Sequence, residues 1–281
     1  MNKIVNTIIF YDNYDEVTTY LNVLSKMDGI TYLDVVIVFN KVKDDDENRL
    51  KNYASDLKIS VYFFNPSKNL GYLNGMLFGY QQYKLVVGDN YQTDYIIMSN
   101  TDINYPSKNF FSLLKSNQYD DNTWCIGPSI FVPLRRSYDN PVLVDRRPLK
   151  QINRLLRIFK NPKIGSLYIK IAGFKELIYK KDKHFSRFVY EVHGCYFILK
   201  PNAIDAFKKR PFLPFMYSEE SYIAEICYKN QKKIFYDTNL EVIHNEHAVT
   251  DTLKRTKIAS YIYESMKYIK NEFYKDEINN D

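Results

Sequence analysis

Short apolar runs alternate with segments of helical spacing through the first hundred residues. Four of these runs are rich in β-branched and aromatic residues and predict strands at residues 5–11, 33–40, 59–64 and 95–99. Between them, apolar residues recur every three or four positions, which predicts helices around residues 17–27, 50–57 and 73–85. Strands that are apolar on both faces and separated by single helices indicate a parallel, doubly wound α/β sheet. In such sheets, ligands bind beyond the carboxyl ends of the strands.

The second half of the chain has a less regular pattern. Apolar runs predict a strand at residues 124–132, another within residues 189–199 around Gly194, and two short strands at residues 234–236 and 240–243. Helical spacing predicts helices at residues 219–230 and 253–273. No internal repeat or low-complexity linker separates these elements, which indicates one domain with a long insertion.

Charge is unevenly distributed along the chain. The 281 residues carry a net charge of +6, whereas residues 134–190 hold 15 Lys and Arg against 4 Asp and Glu, a net charge of +11. This stretch predicts a basic surface that faces an anionic partner, and nucleic acid and membrane lipid are both candidates. Within it, residues 150–160 place apolar side chains on one side of a helix, namely Ile152, Leu155, Leu156 and Phe159. Such a helix fits either an anionic membrane surface or a core-packed helix with a solvated basic face.

The cysteines and the N-terminal segment indicate the cellular compartment in which the protein is expected. Three scattered cysteines form no CxxC pair, so neither a disulfide framework nor a structural zinc site is expected, and a reducing cytosol fits. The N-terminal segment makes a poor signal peptide, and no apolar run approaches the ~18 residues that a transmembrane helix needs. We therefore expect a cytoplasmic protein, with peripheral association at the inner face of the cell membrane left open.

Polar residues that could bind a ligand or a metal ion follow two of the predicted strands. Asn100-Thr101-Asp102 comes directly after the strand at residues 95–99, where Asp102 fits either a turn or a ligand for Mg²⁺ or Mn²⁺. Asn69, Gly71 and Gly75 follow the strand at residues 59–64. They fit either an ordinary strand-to-helix turn or a helix N-terminus that faces a phosphate.

Two further candidates lie in the second half of the chain. Glu219 and Glu220 open a predicted helix, where they either stabilise the helix dipole or supply a general base whose pKa is raised by apolar walls and a like-charged neighbour. His244 ends an apolar strand and is one of four histidines. It is either a structural residue or a metal ligand.

In this order, these signals resemble the pattern of family-2 glycosyltransferases with the GT-A fold, particularly the bacterial enzymes that build capsular and cell-wall saccharides. The matching segments are Asn69-Leu70-Gly71 with Gly75, Asn100-Thr101-Asp102, Gly194 before an apolar strand, Tyr217-Ser218-Glu219-Glu220, and Ile243-His244. The resemblance spans about residues 5–250. It departs from the family pattern where Asn100 replaces an acidic residue and where the common Glu-Asp pair is Glu219-Glu220.

The resemblance implies an α/β GT-A fold: a Rossmann-like, mostly parallel central sheet flanked by helices, with a basic insertion and a C-terminal helix. It further implies a single catalytic domain at residues 1–250 and a helical tail at residues 251–281. Within the domain, a nucleotide-binding half would span residues 1–105. An acceptor half would span residues 106–250 and carry the insertion at about residues 134–190.

The implied activity is inverting transfer of a hexosyl or deoxyhexosyl group in surface polysaccharide biosynthesis. The donor would be a nucleotide-diphosphate sugar, and the acceptor a saccharide, commonly a lipid-linked one. Mn²⁺ or Mg²⁺ would be held by Asp102 and His244, while Glu220 occupies the position of the general base and Glu219 precedes it. The donor contacts implied by the resemblance are Tyr11, Asp12, Asn40, Asn69, Gly71, Gly75, Asn100, Thr101 and Gly194.

Other classes of protein remain open as alternatives. A nucleotidyltransferase has a similar architecture, but it would carry a Gly-rich, basic loop after the first strand, where this chain has Tyr11-Asp12-Asn13-Tyr14. A non-catalytic protein that binds nucleotide sugars or nucleic acid is a further alternative. Nucleic acid is the least favoured partner, because the chain has no recognisable RNP or helix-turn-helix signature and the acidic motifs would be unused.

Overall fold

A computed structural model of the chain describes residues 2–43, 45–88, 91–179, 181–246 and 254–278. Its strands are β1 (Lys3–Tyr11), β2 (Leu33–Lys41), β3 (Ser60–Phe64), β4 (Thr93–Ser99), β5 (Ile103–Asn104), β6 (Thr123–Val132), β7 (Ser137–Tyr138), β8 (Arg187–Val189), β9 (Tyr196–Leu199) and β10 (Lys233–His244). Its α-helices are α1 (Tyr14–Leu24), α2 (Asp46–Ser55), α3 (Tyr72–Val87), α4 (Phe110–Ser116), α5 (Leu149–Phe159), α6 (Pro162–Ile178), α7 (Asn202–Lys209), α8 (Glu219–Lys229), α9 (Arg255–Phe273) and α10 (Lys275–Ile278). None of the helices in this part of the chain combines the length and the apolar character required to cross a membrane.

The strands form one mixed, mostly parallel sheet in the order β3-β2-β1-β4-β9-β6-β10-β5, with β7 beside β6 and β8 beside β10. β1 pairs in parallel with β2 and β4, and β2 pairs in parallel with β3. β9 runs antiparallel to both β4 and β6, and β6 pairs in parallel with β10. The strand order therefore reverses between β1 and β4, and the crevice at their carboxyl ends is the place where open α/β sheets bind ligands.

Alternation along the strands builds a hydrophobic core on each face of the sheet. Ile4 and Ile8 of β1 belong to the core beneath α1, α2 and α4, whereas Val5 belongs to the core beneath α3, α8 and α9. Because side chains of a strand point alternately to opposite faces, a strand that is covered on both sides reads as a continuous apolar run. This packing explains why the first hundred residues predict the sheet so directly.

Helices α5, α6 and α9 pack on one another at one side of the molecule. Leu149, Ile152 and Phe159 of α5 are buried in the core, and Leu155 and Leu156 pack against it half-buried. Of the two alternatives for the amphipathic helix at residues 150–160, the structure therefore shows the helix that packs on the core, with its basic side outward. α9 belongs to the same core, and the ends of the expected tail, residues 251–253 and 279–281, lie outside the described residues.

Two strand predictions differ from the structure. The short strands at residues 234–236 and 240–243 are one strand, β10, with an irregular register between Asp237 and Glu241. A polar bulge replaces the predicted break, because Asp237 Oδ1 accepts the N–H of Asn239 at 2.9 Å. The strand within residues 189–199 begins at Tyr196 rather than around Gly194, since the segment before it turns where the His193 ring accepts the N–H of Cys195 at 3.2 Å.

Candidate active site

The turn after β1 meets the turn after β4 at the point where the strand order reverses. Asn13 Oδ1 accepts the N–H of Tyr11 at 2.8 Å, and its Nδ2 donates to Thr101 Oγ1 at 3.0 Å. Asp12 has a left-handed backbone (φ 55°) and forms ion pairs with Lys43 at 2.7 Å and Lys41 at 3.4 Å. The hydrogen bond from Lys43 lowers the pKa of Asp12. The Asp12 carboxylate therefore lies at this crevice, where a hydrogen bond joins Asn13 to Thr101.

Asn40 links the end of β2 to the turn that precedes α3. Its Nδ2 donates to the carbonyl oxygen of Gly71 at 2.7 Å, and its Oδ1 accepts the N–H of Leu70 at 3.3 Å. Asn69 Oδ1 accepts the N–H of Gly71 at 2.9 Å. A Cβ atom on Gly75 would lie 2.7 Å from Ile9 Cδ1, so the glycine lets α3 approach the sheet closely. The predicted phosphate segment is thus a hydrogen-bonded turn that fixes the N-terminus of α3 beside the crevice.

Asp102 and His244 lie side by side, as the metal-site hypothesis requires. β5 pairs with the end of β10 in a register that places Ile103 opposite His244, and the N–H of Asn245 donates to the Asp102 carbonyl oxygen at 3.0 Å. His244 Nε2 lies 3.3 Å from Asp102 Oδ2. Both carboxylate oxygens of Asp102 and the Nδ1 atom of His244 are buried without a hydrogen-bond partner. Because buried polar atoms are normally paired, a carboxylate and an imidazole that lack these hydrogen bonds fit a divalent cation.

The electrostatics of this pair follow from its mutual contact. Burial alone would raise the pKa of Asp102, but the neighbouring His244 lowers it below its ordinary value. Burial alone would lower the pKa of His244, but a negative charge at Cys195 and the Asp102 carboxylate raise it to about 11. Without a cation, the carboxylate and an imidazolium therefore stabilise each other. A bound cation would take the place of that proton.

Asp139 and Glu246 are acidic neighbours of this site that were not among the predicted site residues. One ligand atom from each, together with one from His244, lies within 4.8 Å of the others. Arg135 binds both acids, at 2.9 Å from Asp139 Oδ1 and 2.8 Å from Glu246 Oε1. Two signals could have identified them: Asp139 is one of four acids in the basic stretch, and Glu246 follows His244 by two residues.

Gly194 and Cys195 join this site to the acidic residues of α8. The N–H of Asn100 donates to the Cys195 carbonyl oxygen at 2.9 Å, and the Tyr72 hydroxyl donates to the Gly194 carbonyl oxygen at 3.0 Å. A Cβ atom on Gly194 would lie 3.3 Å from Glu220 Oε2. The glycine thus opens space beside the Glu220 carboxylate, close to the segment that follows β4.

The two carboxylates that begin α8 differ in accessibility. Glu219 is buried, and its Oε1 accepts the N–H of Tyr217 at 2.9 Å. Burial, reinforced by the charge of Glu220, raises the pKa of Glu219 to about 8. Glu220 is only partly buried. Tyr217 and Ser218, directly before them, both have a left-handed backbone, at φ 73° and 61°. Strain of this kind costs about 1–3 kcal/mol per residue and is concentrated at functional sites.

Glu191 is a third carboxylate near this pair, and its sequence context gave no signal of it. Its side chain is 1% exposed, accepts a hydrogen bond from Ser221 Oγ at 2.8 Å and lies 3.6 Å from Arg147. Burial and the charge of Glu220 raise the pKa of Glu191, while Arg147 opposes the shift. Glu220 therefore stands in the field of two buried acids, and its environment is set by elements that lie far apart in sequence.

Comparisons with known proteins identify the fold. No protein-family model and no curated protein sequence matches the chain. Among solved structures, the mannosyltransferase PcManGT from Pyrobaculum calidifontis, in complex with GDP-Man and Mn²⁺, is similar at 11% identity and a TM-score of 0.51, over 86% of this chain and 56% of that one. GalNAc-T7 with UDP, GalNAc and Mn²⁺ is similar at 12% identity and a TM-score of 0.58, over 99% and 58%. Residues 1–349 of S. aureus TarS are similar at 11% identity and a TM-score of 0.52, over 96% and 72%.

The chain therefore has the GT-A glycosyltransferase fold, as the sequence analysis predicted. It spans little more than half the length of the first two of these structures. At 11–12% identity the likeness establishes the architecture alone. The chemistry of this chain has to be argued from its own residues.

Proposed function

We propose that this protein is an inverting glycosyltransferase that moves a sugar from a nucleotide-diphosphate donor to a saccharide acceptor. The observation that carries the proposal is the buried Asp102 carboxylate beside His244, at the crevice where the strand order reverses. Two of the solved structures that share the fold contain Mn²⁺ and a nucleotide or nucleotide sugar. A carboxylate and an imidazole in this position suit a cation that binds a diphosphate.

Asp102 and His244 would hold the cation, with Asn100 beside them. Mn²⁺ or Mg²⁺ would neutralise the charge that develops on the leaving nucleoside diphosphate. Asp12 and Asn40 stand at the ends of β1 and β2, where they would meet the base and the ribose of the donor. The remaining proposed donor contacts are Tyr11, Asn69, Gly71, Gly75, Asn100, Thr101 and Gly194.

Glu220 is the proposed general base, because it is the more accessible carboxylate of its pair and faces the space beside Gly194. The acceptor hydroxyl would transfer its proton to Glu220 as its oxygen forms a bond to the anomeric carbon. The bond from that carbon to the diphosphate oxygen would break at the same time, and its electron pair would leave with the diphosphate. Attack from the face opposite the leaving group inverts the configuration.

Glu219 would assist Glu220 rather than replace it. Its Oε1 fixes the backbone at Tyr217, and its raised pKa favours the neutral form near neutral pH. A neutral Glu219 adds no negative charge beside the base. We further propose that residues 1–250 form the catalytic domain. A lipid-linked acceptor in surface polysaccharide biosynthesis, encountered at the cytoplasmic face of the membrane, is our proposal for the biological role.

A donor screen tests the proposal. The purified protein would be incubated with a panel of uridine-, thymidine- and guanosine-diphosphate sugars, with Mn²⁺, with Mg²⁺ or with a chelator, and released nucleoside diphosphate would be measured. We expect turnover with one class of donor that requires the cation and is abolished by Asp102→Asn. Failure of every donor to bind or turn over, with the cation present, would contradict the proposal.

A further inference from the structure

Helix α6 packs on the molecule through its side of small residues. A Cβ atom on Gly165 would lie 2.7 Å from Phe159 Cδ1 and 2.9 Å from Ala259 Cβ, so this glycine lets α6 approach both α5 and α9. Ile169 and Ala172 lie on the same side of the helix and are half-buried. An amphipathic helix normally buries its large apolar residues, whereas α6 uses its narrow side for contact with the fold.

Most of the large apolar residues of α6 point into solvent. Six of them recur at intervals of one, three or four positions and so share one side of the helix. These six residues, the α6 stripe, are Ile164, Leu167, Tyr168, Ile171, Phe174 and Ile178, each between 39% and 63% exposed. Continuous exposed apolar patches of this kind mark sites of interaction with a protein or a membrane.

The charges around the α6 stripe favour one of these partners. Lys163, Lys170 and Lys175 are exposed on the same helix, and the outward side of α5 adds Arg154, Arg157 and Lys160. They belong to the stretch of residues 134–190, which carries a net charge of +11. A second copy of the chain would bring the same positive charge to the contact. An anionic lipid surface instead offers acyl chains for the stripe and negative headgroups for the lysines.

The α6 helix is tied to the candidate active site through Arg135. Glu176 of α6 lies 3.7 Å from Arg135, which binds Asp139 and Glu246 next to His244. A surface that holds α6 would therefore also hold the metal-site edge of the crevice close to itself.

We propose that α6 docks this protein on an anionic lipid bilayer, with the α6 stripe at the boundary of the acyl chains and its lysines among the headgroups. The lipid contact is inferred from the exposed residues of α5 and α6 and does not depend on the proposed function. Its use, which is to bring the crevice to a lipid-linked acceptor, rests on the proposed function. The docking helix is thus α6, not the helix at residues 150–160 that the sequence had singled out.

Vesicle co-sedimentation tests the proposal with the full chain and no acceptor. Vesicles of phosphatidylglycerol and phosphatidylcholine in equal parts are compared with vesicles of phosphatidylcholine alone, at about 0.1 M and about 1 M salt. We expect binding to the anionic vesicles that weakens at high salt. Ile171→Ser/Phe174→Ser should lower the partition coefficient at least about tenfold. Lys163→Gln/Lys170→Gln should lower it about thirtyfold.

Matched variants elsewhere on the surface serve as controls. Leu85→Ser/Val86→Ser removes two exposed apolar side chains from α3, and Lys58→Gln/Lys68→Gln removes two exposed charges. Both should bind vesicles as the wild type does, and all four variants should show the wild-type melting temperature. Absence of wild-type binding to anionic vesicles, or equal binding by the α6 variants, would overturn the proposal.

Two further measurements separate the remaining outcomes. Sedimentation equilibrium without lipid should show a monomer. A dimer that Ile171→Ser/Phe174→Ser dissociates would assign the stripe to a second copy and overturn the lipid proposal. Uridine diphosphate binding in the presence of Mn²⁺, measured on the same samples, should be unchanged by the α6 variants. Loss of vesicle binding alone is therefore a failure of α6 docking, whereas absence of nucleotide binding in a protein that docks is a failure of the proposed transferase.

Discussion

The carbonyl oxygen of Phe215 lies against the α-carbon of Gly71, so that a Cβ atom at this position would be 1.8 Å from that oxygen. Gly71 belongs to the turn before α3, and Phe215 belongs to the loop before α8, 144 positions later in the chain. Asn74 Nδ2 strengthens the same contact by donating to the Pro214 carbonyl oxygen at 3.2 Å. The proposed donor side and the proposed acceptor side of the crevice are therefore joined by backbone that only glycine permits.

Gly71→Ala should destabilise the protein by at least about 2 kcal/mol, because Gly71 combines the steric overlap with a backbone at φ 80° and ψ −168°, a region that is essentially restricted to glycine. Gly173→Ala on α6 is the matched control, since nothing lies within 4 Å of its added Cβ and alanine favours a helix by about 0.5–1 kcal/mol. Urea unfolding measures both. Equal midpoints for Gly71→Ala and the wild type would mean that the loop before α8 moves freely away from α3.

Asp102→Asn should remove cation-dependent nucleotide binding. The substitution keeps the shape of the side chain but removes its charge from a buried position beside His244. Loss of residues that merely support a metal ligand costs about 10–100-fold in affinity, so loss of the ligand itself should cost at least that much. Isothermal titration of uridine diphosphate with and without Mn²⁺ measures the effect, and Asp205→Asn on the surface of α7 is the control. Cation-independent binding that is equal in all three proteins would exclude the metal role of Asp102.

Glu246→Gln asks whether the acids around Arg135 belong to the metal site. Arg135 already pairs with Glu246 and with Asp139, so each of these two carboxylates has a cationic partner without a metal ion. We therefore expect Glu246→Gln to weaken Mn²⁺-dependent nucleotide binding far less than Asp102→Asn does in the same titration. A loss as large as that of Asp102→Asn would enlarge the metal site to include Glu246.

The sequence predicts the parallel half of the fold well and the rest less well, for a physical reason. β1, β2, β3 and β4 are covered on both faces, so their apolar runs are visible without any tertiary information. β10 contains a polar bulge stabilised by Asp237. The polar residues of the bulge interrupt the apolar pattern, so the sequence predicts a strand break there. The sequence of α5 would be amphipathic whether the helix lay on a membrane surface or on the protein core. The packing of α9 against α5 decides between these two alternatives.

The candidate site was visible where its residues directly follow a strand or begin a helix. Asp102 directly precedes β5 and His244 ends β10, and the pairing of β5 with β10 brings the two residues together. Asp139 and Glu191 gave no comparable signal, because each owes its place to a partner distant in sequence or to the turn around it. Glu191 is buried by its contact with Ser221 of α8, which no local pattern encodes.

Glu220→Gln should lower the rate of transfer by about 10²–10⁴ while nucleotide binding is preserved, since loss of general-base assistance has that size. Glu219→Gln should have the smaller effect on the rate, because Glu219 is buried and its Oε1 is engaged by the Tyr217 N–H, which a glutamine oxygen can still accept. Single-turnover transfer, once a donor and an acceptor are identified, compares the two variants. A larger loss for Glu219→Gln would assign the base to Glu219, and wild-type rates for both would reduce the pair to a cap of α8.

The stability of the protein should fall as the pH rises from about 4.5 to 8, and Glu219 should account for part of that fall. Burial, with the charge of Glu220, raises the pKa of Glu219 from 4.5 to about 8 in the folded state. Between these values the folded protein keeps a proton that the unfolded chain releases. The contribution of Glu219 is therefore fully present below pH 4.5 and is lost as the pH rises through about 8, by at most about 1.4 kcal/mol per pH unit.

Glu219→Gln should consequently melt near the wild-type temperature at pH 5 and above it at pH 8.5, because glutamine carries no charge to bury. Glu47→Gln is a control of opposite sign. The hydrogen bond from Lys51 lowers the pKa of Glu47, so its small surface contribution is present at high pH and is lost as the pH falls. Thermal unfolding across this pH range measures both variants. Parallel melting curves for Glu219→Gln and the wild type from pH 5 to 8.5 would show that Glu219 does not retain its proton in the folded protein.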